Sequence, residues 1–287
     1  MLYHCYADDI QLYCTVEGSE DPAAKLSSVN VCIDKLKSWM GCNMLKLNSE
    51  KTEFIIIVSK KSPGRNMTPS LPWHLRDINT SSHVRSLGVI FDRALSFAKH
   101  SDYIIKSCNF YVRNIGRIRQ FLSKKARELL VVALVTSRLD YCNSFLNGLS
   151  QTHMLWLQHV QNTAARLICR IEHISTSLQS LHWLPVVLRP RFKLLCIVFR
   201  ALRGVGPLYL QELICPYRLT CSLRSESKNL LYVPAYRTAT YGNRLFTVVL
   251  WYHKTIFWPK NLKFWLYNLQ IWTFSLTYKF SAFAAAK

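Results

Sequence analysis

Apolar and polar positions alternate over residues 1–16, where two runs rich in Tyr, Ile, Leu, Cys and Val flank Asp8 and Asp9. The pattern predicts a β-hairpin with both aspartates in its turn, a place aspartate tolerates because its short side chain bonds nearby backbone. The polar stretch Glu-Gly-Ser-Glu-Asp-Pro over 17–22 ends that alternation. Leu26, Val29, Ile33, Leu36 and Met40 then recur at three- and four-residue steps, which predicts a helix over 22–41 with Gly41 as its stop. Met44–Leu47 and Phe54–Val58 read as strands around a turn at Asn48–Lys51. Residues 59–82 read as a loop rich in Ser, Pro, Gly, Asn and Thr, and Val84–Phe91 as a short strand containing Leu87 and Gly88.

From about residue 99 the period becomes helical. Ile104, Cys108, Tyr111, Ile115, Ile118 and Leu122 make one apolar stripe, with Lys106, Arg113 and Arg117 on the opposite face. Ser123 suits the N-cap of a second helix, which carries Lys124, Lys125 and Arg127 ahead of Leu129–Val135. A third helix over 153–171 turns Leu157, Val160, Ala164, Leu167 and Ile171 inward and Arg166 and Arg170 outward. The theme repeats over 173–204, broken by Pro185 and Pro190 and ended by Gly204. Periodicity fades from 205 to 245. In the tail, Trp251, Trp258, Trp265 and Trp272 are spaced seven apart, but Pro259 interrupts any single helix that would align them. The expected fold class is α+β: a partial antiparallel sheet region over 1–98, then a mainly helical body divided into 99–150, 151–245 and the basic aromatic tail 246–287.

Charge adds a partner class. Lysine and arginine outnumber aspartate and glutamate 37 to 16 in 287 residues, a formal charge of +21. Residues 1–53 hold five lysines against eight acids; residues 54–287 hold thirty-two basic residues against eight acids, and no acid follows Glu226. Such an excess suits a polyanion, nucleic acid first and anionic membrane second. Half the residues are hydrophobic, which excludes disorder as the overall state. The ten cysteines show no zinc-ligand spacing, no secretory leader opens the chain, and no window reads as a spanning helix. An intracellular, reduced protein of nucleus or cytoplasm is expected, not a secreted one.

The sharpest candidate chemistry is the adjacent pair Asp8 and Asp9. Two carboxylates on a turn suit a hard cation such as Mg²⁺, and a two-metal site for phosphoryl transfer needs several of them. Tyr6-Ala7-Asp8-Asp9 followed by Ile10-Gln11-Leu12-Tyr13 resembles the catalytic box of reverse transcriptases, and the longer match is to LINE-type (non-LTR) retrotransposons of the jockey-like branch. Leu45-Lys46-Leu47-Asn48-Ser49-Glu50-Lys51-Thr52-Glu53-Phe54 resembles the next polymerase motif, and Val84-Arg85-Ser86-Leu87-Gly88-Val89 the primer-grip region after it. Thr136-Ser137-Arg138-Leu139-Asp140-Tyr141-Cys142-Asn143-Ser144 and Leu181-His182-Trp183-Leu184-Pro185-Val186 are similar to segments that follow the polymerase core. The resemblance runs over about residues 1–246, in the family's order.

The resemblance implies that Asp8 is a ligand of a catalytic Mg²⁺ pair, with Asp9 its neighbour in a lesser role. Lys51 would assist the pyrophosphate leaving group, and Leu87 and Gly88 would position the primer end. Residues 1–98 would be part of the palm, and the basic helices from 99 the thumb. There Lys106, Arg113, Arg117, Lys124, Arg127, Arg166 and Arg170 would lie along an RNA template and DNA primer. The chain also departs from the family. Fingers and the first half of the palm, which bring a further metal-binding aspartate, would stand before this box and are absent ahead of Met1. The tail reads Val248-Val249-Leu250-Trp251-Tyr252-His253-Lys254 where an Ala-Pro-x-Leu-Trp-Asn-like stretch is expected, as a frameshift in a decaying copy would leave it. The expected function is therefore that of a truncated RNA-directed DNA polymerase, inactive alone. The alternatives are a non-catalytic, sequence-tolerant RNA- or DNA-binding remnant and, third, a membrane-surface protein using its aromatic basic tail.

Overall fold

A computed structural model describes residues 2–7, 9–15, 22–48, 51–57, 79–169, 173–214 and 231–232. Asp8, Arg170, Ile171, most of the expected 59–82 loop and the whole 246–287 tail lie outside these residues. The architecture mixes helices with small sheets, as an α+β chain does. Two compact units divide between His100 and Ser101.

In the first unit, β1 (Leu2–Tyr6) and β2 (Asp9–Tyr13) pair antiparallel, with Leu2 opposite Tyr13 and Tyr6 opposite Asp9. Asp9 therefore opens a strand, whereas the alternation pattern placed it in the turn. Ala7 takes a left-handed φ of 53° at the closed end. α1 (Pro22–Cys42) fills the predicted helical span, but Gly41 does not stop it. The chain leaves the helix through Met44, at φ 57°, with the amide of Met44 donating to Gly41 O (3.1 Å) and that of Leu45 to Met40 O (2.8 Å). This pair of bonds is the Schellman stop, and Met44 holds its left-handed position.

The strand expected over Met44–Leu47 does not form; those residues are irregular. Of the described part of Phe54–Val58, residues 54–57, only Phe54 is in a strand, β3 (Glu53–Phe54), which pairs in parallel with β4 (Asn79–Thr80); Val58 lies outside the described residues. The single strand expected over Val84–Phe91 is instead a hairpin of β5 (His83–Ser86) and β6 (Val89–Asp92). Leu87 and Gly88 form its two-residue turn at φ 46° and 81°. Positive φ at both positions matches the right-handed twist of the strands, the reason such turns favour asparagine and glycine. Leucine pays a steric cost there that glycine would not.

The second unit is helical. It comprises α2 (Ala98–Ile118), whose first turn precedes the division, α3 (Lys124–Val131), a π-helical turn at Val132–Thr136, α4 (Ser137–Asp140), α5 (Gln151–Cys169), α6 (Ile174–Ser180), α7 (Leu188–Leu202) and α8 (Leu208–Glu212). Ser123 caps α3 as expected, its hydroxyl accepting from the Ala126 amide at 3.2 Å. The core gathers Ile104, Cys108, Val112 and Ile115 of α2, Val131 of α3, and Leu157, Val160, Ala164 and Ile168 of α5, with Trp183 and Val186. Val112 takes an inward place the stripe did not foresee, and Ile118 lies exposed rather than in the stripe. Burial pushes the Cys108 thiol up to about 12, so it stays protonated, its sulfur 3.8 Å from Val135 O.

A polar lock runs through this unit. Gln161, fully buried on the inner face of α5, donates to Leu184 O at 2.9 Å, and Gln158 Oε1 accepts from the Val186 amide at 2.8 Å. Arg189 Nε donates to the same Leu184 O at 2.8 Å, and its Nη1 lies 2.7 and 2.8 Å from the two oxygens of Asp140. One carbonyl and one carboxylate thus hold α4, α5, α7 and the segment 184–186 together.

Candidate nucleic-acid interface

The sequence placed basic side chains on the outer faces of the helices, and most are there. Lys106, Arg113 and Arg117 of α2, Lys124 of α3 and Arg166 of α5 are exposed, and none has an ion pair among the described residues. Arg127 differs. Its side chain is 6% exposed, and Nε and Nη1 have no hydrogen-bond partner among the described residues. It faces inward because α3 alternates faces every three to four residues, and position 127 shares the inward face with Val131. Arg127 is therefore withdrawn from the outward basic set, and Arg170 lies outside the described residues.

The outer face of α2 carries more than charge. Tyr103, Lys106, Phe110, Arg113 and Arg117 succeed one another at steps of three or four, and all are exposed. Phe121, in the 3₁₀ turn Arg119–Phe121 that follows, continues the row. The sequence reading recorded the cations but missed the aromatics between them, although their spacing from Lys106 and Arg113 already put them on that face. The acidic residue of this helix, Asp102, instead lies 3.4 Å from His153 Nε2, and the other ring nitrogen is 2.7 Å from the Ser150 hydroxyl. This row ties the start of α5 to α2, and Ser150 Oγ also accepts from the His153 amide (3.5 Å).

In the first unit, Asp9 and Lys51 are exposed. The Lys51 amide donates to Asn48 Oδ1 (3.2 Å) and Thr52 Oγ1 to Asn48 O (2.7 Å), bonds that bring the two ends of the expected turn together; Ser49 and Glu50 lie outside the described residues. Gln11 of β2 donates to the hydroxyl of Ser86, so the hairpin of Asp9 and the hairpin of Leu87 and Gly88 are joined side chain to side chain. Asp9 alone does not make a two-metal site. Among the described residues no group of three or more His, Cys, Asp or Glu could hold a metal ion, and Asp8 lies outside them.

Backbone strain is unevenly distributed. Seven described non-glycine residues have positive φ, and four of them fall in the quoted motifs: Ala7, Leu87, Cys142 and His182. His182 has a structural explanation. Its amide donates to Gln179 O (3.0 Å) and that of Trp183 to Leu178 O (2.8 Å), the stop of α6, with Trp183 and Leu178 both in the core. No helix of the described residues is long and apolar enough to cross a membrane. No family model, curated protein or solved structure matches the chain.

Proposed function

We propose that the chain is a palm-and-thumb portion of a non-LTR reverse transcriptase whose own activity is to hold an RNA or DNA strand. The carrying observation is the outward set Lys106, Arg113, Arg117, Lys124 and Arg166, exposed and without ion pairs among the described residues. Cations presented this way release counterions from a phosphate backbone on binding and read no sequence. Ala7 and Leu87 support the palm reading: each is a strained non-glycine in the turn of a motif hairpin, and the two hairpins meet through Gln11 and Ser86. Strain of this kind persists where surrounding structure enforces it, and functional sites are where it collects.

In this reading Asp8 and Asp9 are the carboxylates the chain offers to Mg²⁺, Lys51 stands near the leaving group, and Leu87 and Gly88 near a primer end. Strand holding is the activity assigned to this chain because the exposed cations Lys106, Arg113, Arg117, Lys124 and Arg166 support it directly. Primer extension on a poly-A template with Mg²⁺, beside a salt titration of binding, tests it. Binding without incorporation is expected. Incorporation abolished by Asp8→Ala would make the chain a working polymerase, and absence of any binding at low salt would sink the proposal.

A further inference from the structure

The basic set explains attraction to any polyanion; it does not explain why large aromatic side chains stand among the cations on α2. Phe110 is 59% exposed and Phe121 80% exposed. An isolated exposed phenylalanine is unremarkable, but here Tyr103, Lys106, Phe110, Arg113 and Arg117 occupy one face in an alternating order. A helix buried against protein through that face would not carry three cations along it, since each would need a partner or lose its hydration. A purely solvated face has no use for Phe110. A polymer with both phosphates and flat apolar rings satisfies both kinds of side chain together.

We infer that the outer face of α2 is a stacking surface for single-stranded nucleic acid, in which Phe110 and Tyr103 receive unpaired bases while Lys106, Arg113 and Arg117 hold the adjoining phosphates. The inference rests on the strand-holding reading above and narrows its ligand. In a duplex the base faces are stacked on one another and only edges and backbone are offered, so the rings would gain little there. A single strand offers its faces, and every base has one, so RNA and DNA of one sequence should bind alike. Tyr103 and Phe110 are seven residues apart, about 10.5 Å along the axis, the rise of roughly three stacked nucleotides. Phe110 meets Tyr111 edge-on at 5.3 Å between ring centroids, which supports its ring from beside.

The test uses the full chain, with fluorescence anisotropy on an unstructured RNA oligonucleotide, the DNA of the same sequence and the corresponding duplex. The single strands should bind more tightly than the duplex. Phe110→Ala should weaken single-strand binding roughly fivefold or more and leave duplex binding nearly unchanged. Phe110→Leu, which keeps apolar bulk without the flat ring, should resemble Ala, and Phe110→Trp should restore or raise affinity. Circular dichroism melts of each variant exclude a folding effect. Equal single-strand and duplex affinity, or indifference to every Phe110 variant while Arg113→Ala and Arg117→Ala weaken both ligands, would overturn the stacking surface and leave strand holding intact. Loss of self-association in Phe110→Ala without any change in binding would overturn it too and assign the face to a second protein chain. Absence of binding, or binding indifferent to Arg113 and Arg117 as well, would overturn the parent reading.

Discussion

Met44 occupies the left-handed position of a helix stop, and the same chain shows what usually stands there. α7 ends with the same two bonds, from Gly204 to Ala201 O (3.1 Å) and from Val205 to Arg200 O (3.0 Å), and there the left-handed residue is glycine at φ 70°. The Met44 side chain is 93% exposed, so it repays little of its backbone cost by packing. Met44→Gly should raise stability by about 0.5–1 kcal/mol, the left-handed penalty outweighing the extra freedom glycine gives the unfolded chain; urea denaturation would measure it. His100 supplies a second residue-scale effect. It is buried, its Nδ1 accepts from the Ile90 amide at 3.4 Å, and Nε2 has no partner among the described residues. Desolvation first and the nearby Arg85 charge second hold its pKa below 6.5. The unfolded chain therefore binds a proton more readily than the folded one. The stability His100 contributes is complete above its unfolded pKa and falls as pH drops through 6.5 toward its folded value. Melts across pH 5–8 should show that slope in the wild type and a shallower one in His100→Gln.

At the scale of elements, the lock around Leu184 gives two of the quoted motifs a structural task. Asp140 belongs to the 136–144 motif and Leu184 to the 181–186 motif, and Arg189 binds both. Asp140→Ala would strand a guanidinium whose side chain is 10% exposed. The expected cost is about 2–3 kcal/mol, less than the 3–5 of a fully buried pair because the carboxylate is partly solvated. Adding Arg189→Met to that variant should recover part of the loss, which chemical denaturation of the double-mutant cycle would show. The helices were legible because their apolar spacing is sustained: α1 and α5 each fall within two residues of the expected bounds, and α2 starts within one residue of the expected place but ends at Ile118, short of the Leu122 to which its stripe was drawn. The lock was not, because Gln158 and Gln161 look like polar interruptions until the 184–186 backbone is placed against them. The β5–β6 turn was hidden for another reason. Leucine at the first turn position carries no signal of positive φ, so the segment reads as one continuous strand. The strand expected at Met44–Leu47 failed because apolar character alone supplies no pairing partner, and Met44 was already committed to ending α1.

At the scale of the whole molecule, charge is what the sequence made most legible, and Arg127, the one basic residue of the expected set that is buried among the described residues, becomes a test. If Lys106, Arg113, Arg117, Lys124 and Arg166 each neutralise one phosphate of a single strand, together they contribute a slope of about −3.5 in log affinity against log salt, at roughly −0.7 per contact. Raising salt from about 50 to 200 mM should then weaken binding about 100-fold through these contacts alone. Replacing any one of the five with alanine should reduce the slope by about 0.7, since each releases counterions independently of sequence. Arg127 carries the same formal charge but is buried, out of reach of a phosphate on the surface. Arg127→Met should therefore leave the salt slope unchanged. It should also leave stability unchanged or raise it, because a buried guanidinium whose Nε and Nη1 have no partner among the described residues gives way to an apolar side chain of similar length. A titration in which Arg127→Met flattens the slope as Arg113→Ala does would show that its charge reaches the ligand and return it to the outward set. An unchanged slope would separate the chain's net charge from the part of it that holds a strand.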